Sequence, residues 1–206
     1  MAHVILFHHA LGLTDGVHRF ADHIRAAGHD VDVPDLYEGQ TFATVEEGVA
    51  HAERIGFDVI IERGLSAASK LTTPTPCVYA GMSLGAMPAQ KLAQTVPGVA
   101  GAPAVEASGR TALAAILYHA TAPPAAFSPH GWPTGVALQM HLNRHDRWAA
   151  EDLQVAEQLA RTSPDAELFI YEGSTHLFTD SSLSDYDEPA ARLALQRTLR
   201  LLSRWL

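Results

Sequence analysis

Three residue types that cooperate in acyl transfer stand at positions one architecture would bring together. Ser83 is the centre of Gly81-Met82-Ser83-Leu84-Gly85, which follows the apolar run Cys77-Val-Tyr-Ala80 and precedes a segment of helical period. A G-x-S-x-G pentapeptide between a strand and a helix puts its serine on a strained turn above the sheet, where side chains two residues before and after would collide. The alternative for Ser83 is a plain helix N-cap. Pro88 lies awkwardly for a helix starting at Leu84, so a kinked or delayed first turn is expected.

A serine hydroxyl is a weak nucleophile near neutral pH and needs an imidazole base, whose tautomer a carboxylate must hold. Of the twelve histidines, His176 is best placed, in the loop Gly173-Ser-Thr-His176 after the last strand-like run. Asp146 follows the preceding strand-like run, so Ser83, Asp146 and His176 occur in nucleophile–acid–base order. Asp180 and Asp185 are reserve acids, and Asp146 could alternatively cap the next helix. The oxyanion of a tetrahedral intermediate needs two N–H donors. The amide of Leu84, next after the serine, and that of Ala10, in the turn His8-His9-Ala10-Leu11-Gly12 after the first strand, are the candidates.

These residues need a scaffold that collects strand ends. Short apolar runs at His3–Phe7, Asp30–Val33, Cys77–Ala80, Leu113–Tyr118, Val136–His141 and Glu167–Tyr171 alternate with helical segments near Val17–Ala27, Val45–Lys70, Leu84–Gln94, Ala149–Thr162 and Pro189–Trp205. Alternation of this kind specifies an α/β fold, a parallel doubly wound sheet with helices on both faces. Its ligand sites lie at the carboxyl ends of the strands. Gly56 and Gly64 are possible breaks in the second helical segment. The Pro- and Gly-rich stretch Ala120–Gly135 reads as a loop, either a plain connection or a flap over the site.

With 206 residues and 47% hydrophobic content, the chain is expected to form a single domain, residues 1–206. Fourteen basic against 23 acidic residues give a net charge of −9 without a basic stripe, which argues against a nucleic-acid partner. The single cysteine, Cys77, excludes an intramolecular disulfide framework and reads as a small core residue. No apolar run approaches a membrane span and no signal-peptide pattern opens the chain, so a cytoplasmic location without membrane contact is expected. His141 and His145 have i,i+4 spacing but run from a strand into a loop, so no metal site is expected.

Taken together, the His9-Ala-Leu-Gly12 turn, Val33-Pro-Asp-Leu-Tyr37, Gly81-Met-Ser-Leu-Gly85, Asp146, and Gly173-Ser-Thr-His-Leu-Phe178 followed by Tyr186-Asp187 resemble the dienelactone hydrolase family of α/β-hydrolases nearly end to end. The resemblance implies a compact hydrolase without a large lid or a cofactor. Three departures bear on substrate. The family's name-giving enzymes use a cysteine nucleophile where this chain has Ser83. They place a glutamate where His9 stands, and a substrate-binding arginine where Asp180 stands. The given sequence opens on the first strand-like run, so a smaller sheet, without the opening hairpin of many longer relatives, is expected.

The expected activity is therefore cleavage of small carboxylic esters or lactones through an acyl-enzyme, by a monomer or homodimer. His9, Tyr37, Met82, Trp148 and Phe178 are expected at the pocket wall, with core packing as the alternative. Thioester or C–C bond hydrolysis on the same triad is the rival chemistry. A non-catalytic small-molecule-binding homologue, with His9 crowding the oxyanion loop, is the rival class.

Overall fold

The computed structural model describes residues 1–71, 76–95 and 112–206. Six strands form one sheet: β1 (His3–Phe7), β2 (Asp30–Asp32), β3 (Cys77–Met82), β4 (Ala112–Tyr118), β5 (Ala137–Asn143) and β6 (Ala166–Tyr171). Their order is β2-β1-β3-β4-β5-β6 and every pairing is parallel. Parallel strands buried on both faces read as continuous apolar runs rather than alternating ones, and β1 and β3 are buried along their whole length.

Among the described residues, six α-helices cover the sheet: α1 (Asp15–Ala26), α2 (Val45–Ile55), α3 (Phe57–Lys70), α4 (Ala86–Thr95), α5 (Ala150–Thr162) and α6 (Glu188–Leu202). Two apolar layers result. On one face Ile5, Phe7, Tyr79, Leu117 and Met140 pack with α2–α5 residues such as Ala52, Ile60, Ala89 and Ala156. On the other, Val4, Leu6, Val78, Ile116 and Tyr118 pack with Val17, Phe20 and Ile24 of α1 and with Ala194 and Leu201 of α6.

The helical segment Val45–Lys70 is divided into two helices. Gly56, at φ 95°, ends α2 and begins α3, while Gly64 stays helical, close enough to Pro88 that a Cβ would meet its ring at 2.6 Å. A helix does not start at Leu84 either. Ser83–Gly85 form a 3₁₀ turn and α4 begins at Ala86, which leaves Pro88 in the first helical turn, where its missing N–H costs no internal bond. The Ala120–Gly135 stretch is a connection held down by α4: Gln90 donates to the Ala122 carbonyl, and Gln94 to those of Pro124 and Gly131. Among the described residues, no helix is long and apolar enough to cross a membrane.

Candidate active site

The turn at the end of β3 is built by close approach. A Cβ on Gly81 would lie 2.0 Å from the Gly85 carbonyl oxygen, and one on Gly85 would lie 2.4 Å from that of Phe7 in β1. Between them Ser83 adopts φ 49°, a left-handed conformation that costs a non-glycine residue free energy and persists where surrounding packing enforces it. His119, at the end of β4, is likewise left-handed at φ 69°.

The strained turn presents Ser83 Oγ to His176 Nε2 at 2.7 Å, and His176 Nδ1 lies 2.6 Å from Asp146 Oδ2. All three residues are buried. Asp146 does not cap α5. Its other oxygen, Oδ1, accepts from the Trp148 amide, which fixes the carboxylate plane while Oδ2 faces the imidazole. Asp185 serves the His176 loop in another way, accepting from the main-chain amides of His176 and Leu177. Asn143, the last residue of β5, donates to the Thr175 carbonyl and packs where a Cβ on Gly173 would stand. Sequence reasoning gave Asn143 no role. Its only signal was a polar residue ending an apolar run.

Around the first turn, the Leu11 amide donates to His9 Nδ1, and the Gly12 amide and His8 Nδ1 both donate to the His9 carbonyl. The Ala10 N–H meets no protein acceptor among the described residues. His8 is buried, and that burial lowers its pKa to about 4, so it is neutral; its Nε2 accepts from the Leu36 amide. Burial, reinforced by His176, His9 and His141, also holds His119 well below the ordinary value. Its ring centroid lies 5.9 Å from that of His176, and its Nε2 meets Thr179 Oγ1 at 2.8 Å.

His9 and Asp180, from the first turn and the loop after His176, are partners. His9 Nε2 lies 2.7 Å from Asp180 Oδ2 with both side chains fully buried. Thr14 Oγ1 also donates to Oδ2, and the Ser182 amide and hydroxyl donate to Oδ1. Burial alone would raise the Asp180 carboxyl, but the hydrogen bonds from His9, Ser182 and Thr14 outweigh it and bring the pKa down to about 2.

A cleft of about 670 Å³ opens beside His176, lined by Leu11, Thr44, Glu46, Trp148 and Asp185 among others. Arg147 and Glu46 pair at its rim, 2.6 Å apart. Of the expected wall residues, Trp148 lines this cleft. Tyr37, Met82 and Phe178 do not: all three are fully buried in the apolar layers, Tyr37 against His8, Phe42 and His51, and Phe178 against His119 and Tyr171. His9 is turned to Asp180 instead of the wall. For Tyr37, Met82 and Phe178 the strand end or loop directs the side chain inward, into packing that removes apolar area from water. His141 has both ring nitrogens engaged, by Tyr171 and Gln139, and burial lowers its pKa to about 3.

An open parallel sheet carrying a left-handed serine on a glycine-flanked turn after its third strand defines an α/β-hydrolase. Consistent with that class, the dienelactone hydrolase family model matches residues 1–206, and the chain belongs to that family. Among solved structures, it is similar to a dienelactone hydrolase-like promiscuous phosphotriesterase from metagenomic libraries, at 17% identity and a TM-score of 0.71, covering 99% of this chain and 86% of that one. A cold-adapted esterase from an Arctic intertidal metagenomic library gives 14% identity and a TM-score of 0.64, with coverages of 100% and 82%. Esterase 2 of Thermogutta terrifontis, solved as the tabun-phosphoramylated protein, gives 18% and 0.58, with coverages of 98% and 83%. No curated protein sequence matches the chain.

Proposed function

We propose that this protein is a serine hydrolase of small carboxylic esters or lactones, working through an acyl-enzyme on Ser83, His176 and Asp146. The observation that carries the reading is the unbroken chain from Ser83 Oγ through both nitrogens of His176 to Asp146, starting from a serine held at φ 49°. Ser83 Oγ attacks the substrate carbonyl carbon while its proton passes to His176 Nε2. Asp146 accepts the Nδ1 hydrogen, which selects the tautomer with Nε2 unprotonated and stabilises the imidazolium that forms. The oxyanion takes hydrogen bonds from the Leu84 and Ala10 amides. Collapse of the intermediate breaks the ester C–O bond, and the leaving alkoxide takes the proton from Nε2. Water, deprotonated by the same nitrogen, then attacks the acyl carbon; the bond to Ser83 Oγ breaks, Oγ takes the proton back from Nε2, and the acid is released.

Asp180, at the family's arginine position, is fully buried and bound by its own donors, so it supplies no cation to the substrate. The cleft rim pairs its Arg147 with Glu46. Both features favour uncharged esters over substrates with a free carboxylate. The structural similarity to a phosphotriesterase and to a tabun-modified esterase supports organophosphates as trapping reagents for Ser83.

Turnover of p-nitrophenyl acetate tests the reading. The wild-type protein should hydrolyse it and Ser83→Ala should not. Equal rates in the two would assign any observed hydrolysis to something other than this serine. A comparison of matched ester and thioester substrates then ranks the two acyl-transfer chemistries.

A further inference from the structure

Asp180 gathers donors from three separate parts of the chain. His9 lies on the loop after β1, Thr14 caps α1, and Ser182 sits in the segment that continues from His176. The approach to α1 is so close that a Cβ on Gly16 would lie 1.6 Å from Asp180 Oδ1. The carboxylate also stands at the amino end of that helix, where the aligned peptide dipoles favour a negative charge.

His9 passes this anchorage on to the main chain. Its Nδ1 accepts the Leu11 amide at 3.2 Å, so the ring hydrogen sits on Nε2 and is donated to Asp180. The ring therefore bridges a fixed carboxylate and the peptide that follows Ala10. In that turn the Leu11 and Gly12 amides are spent on His9, while the Ala10 N–H is left without a protein acceptor among the described residues. A buried amide held without a partner has a use where an oxyanion forms.

We propose that His9 and Asp180 are a positioning pair for acyl transfer: they lock the Ala10–Leu11 backbone to the segment that carries His176, so the oxyanion donor and the base keep one relative geometry. This inference rests on the hydrolase reading above. It assigns His9 a role other than crowding the site.

The hydrogen-bond polarity makes the pair brittle in a testable way. Four donors converge on the two Asp180 oxygens. An asparagine at 180 must turn its NH₂ either toward His9 and Thr14 or toward the Ser182 amide, and both choices oppose donor to donor. If His9 switched tautomer to relieve this, Nδ1–H would oppose the Leu11 N–H.

The experiment compares wild type with Asp180→Asn, His9→Ala and His9→Gln, with active sites titrated so that rates refer to folded, competent protein. With p-nitrophenyl acetate, Asp180→Asn and His9→Ala should lose roughly 10- to 100-fold in kcat, below the ~10²–10³ cost of deleting an oxyanion donor outright, with little change in KM. The preference for an ester over its thionoester, in which sulfur replaces the carbonyl oxygen, should narrow in parallel, because it reads the oxyanion contacts alone. His9→Gln keeps a donor toward Asp180 and should recover part of the loss; it also guards against Asp180→Asn failing to fold.

Unchanged kcat per active site and an unchanged ester-to-thionoester ratio, even with a lowered Tm, would overturn the proposal and leave the pair a structural brace. Absence of turnover in the wild type would be a different result. It removes the hydrolase reading and the proposal with it, while hydrogen exchange at the Leu11 amide still reports whether the pair clamps the loop.

Discussion

Among the described residues, two histidine–aspartate pairs have both side chains buried, and their similarity makes their difference informative. His176 and Asp146 are 2.6 Å apart, His9 and Asp180 are 2.7 Å apart, and all four residues are buried. Each carboxylate also takes main-chain donors, from Trp148 in one case and Ser182 in the other. What separates them is the far ring nitrogen. In His176 it meets a hydroxyl that can give up a proton, that of Ser83; in His9 it meets the amide of Leu11, which cannot. On the proposed function the same pairing serves as a proton acceptor in one place and as a positioning pair in the other, and one neighbouring group makes the difference.

The largest expected effects belong to the reacting pair. Ser83→Ala or His176→Gln should cost on the order of 10⁶ in kcat for ester hydrolysis, because members of a triad act as a unit. Asp146→Asn should leave the geometry nearly intact and still lose about 10⁴, since the amide favours the wrong tautomer of His176. Asp180→Asn, the same chemical change at the other pair, should lose two or more orders of magnitude less. Equal losses in steady-state assays of the two variants would erase the distinction between them.

Acid sharpens the comparison through stability. Burial puts His8 at about 4 and His141 at about 3, both below the ordinary histidine value, so between pH 6.5 and 4 the unfolded chain takes up protons that the folded chain refuses. Stability is full above that window and falls as pH drops through it, by about 3 kcal/mol from His8 alone. Asp180 acts in a lower window. With its carboxyl at about 2, its contribution is complete above about pH 4 and is lost as pH falls toward 2, amounting to roughly 2 kcal/mol. In denaturant titrations across pH, Asp180→Asn should remove the lower step and keep the upper one.

Smaller effects concern the frame around the two pairs. Gly85→Ala puts a methyl group against the Phe7 carbonyl and should destabilise by about 1–3 kcal/mol, seen as a lowered Tm. Arg147→Ala breaks an exposed pair with Glu46 and should change stability by less than about 1 kcal/mol, with any kinetic effect confined to KM.

The hydrogen-bonded grouping of Ser83, His176 and Asp146 was legible in the sequence because its signals are local. Gly81, Ser83 and Gly85 occur within one turn, and the strand-like runs before Asp146 and His176 place both residues at strand ends. The His9–Asp180 pair was half visible. His9 and Asp180 stood out singly as departures from a family pattern, but 171 residues separate them and no period or spacing links them. Tyr37, Met82 and Phe178 show the converse failure. A large side chain near a strand end suits a pocket wall and a core equally well, and only the course of the chain turned these three inward. The division of Val45–Lys70 fell at Gly56, one of the two glycines that could have broken it, because Gly56 takes a left-handed φ while Gly64 faces Pro88 inside a helix.

Activation of Ser83 by His176 and Asp146 is read by intact-mass measurement after exposure to a fluorophosphonate. The wild-type protein should take one adduct per chain, mapped to Ser83 and absent from Ser83→Ala. A wild-type protein that stays unmodified while folded, or an adduct that persists in Ser83→Ala, would contradict it.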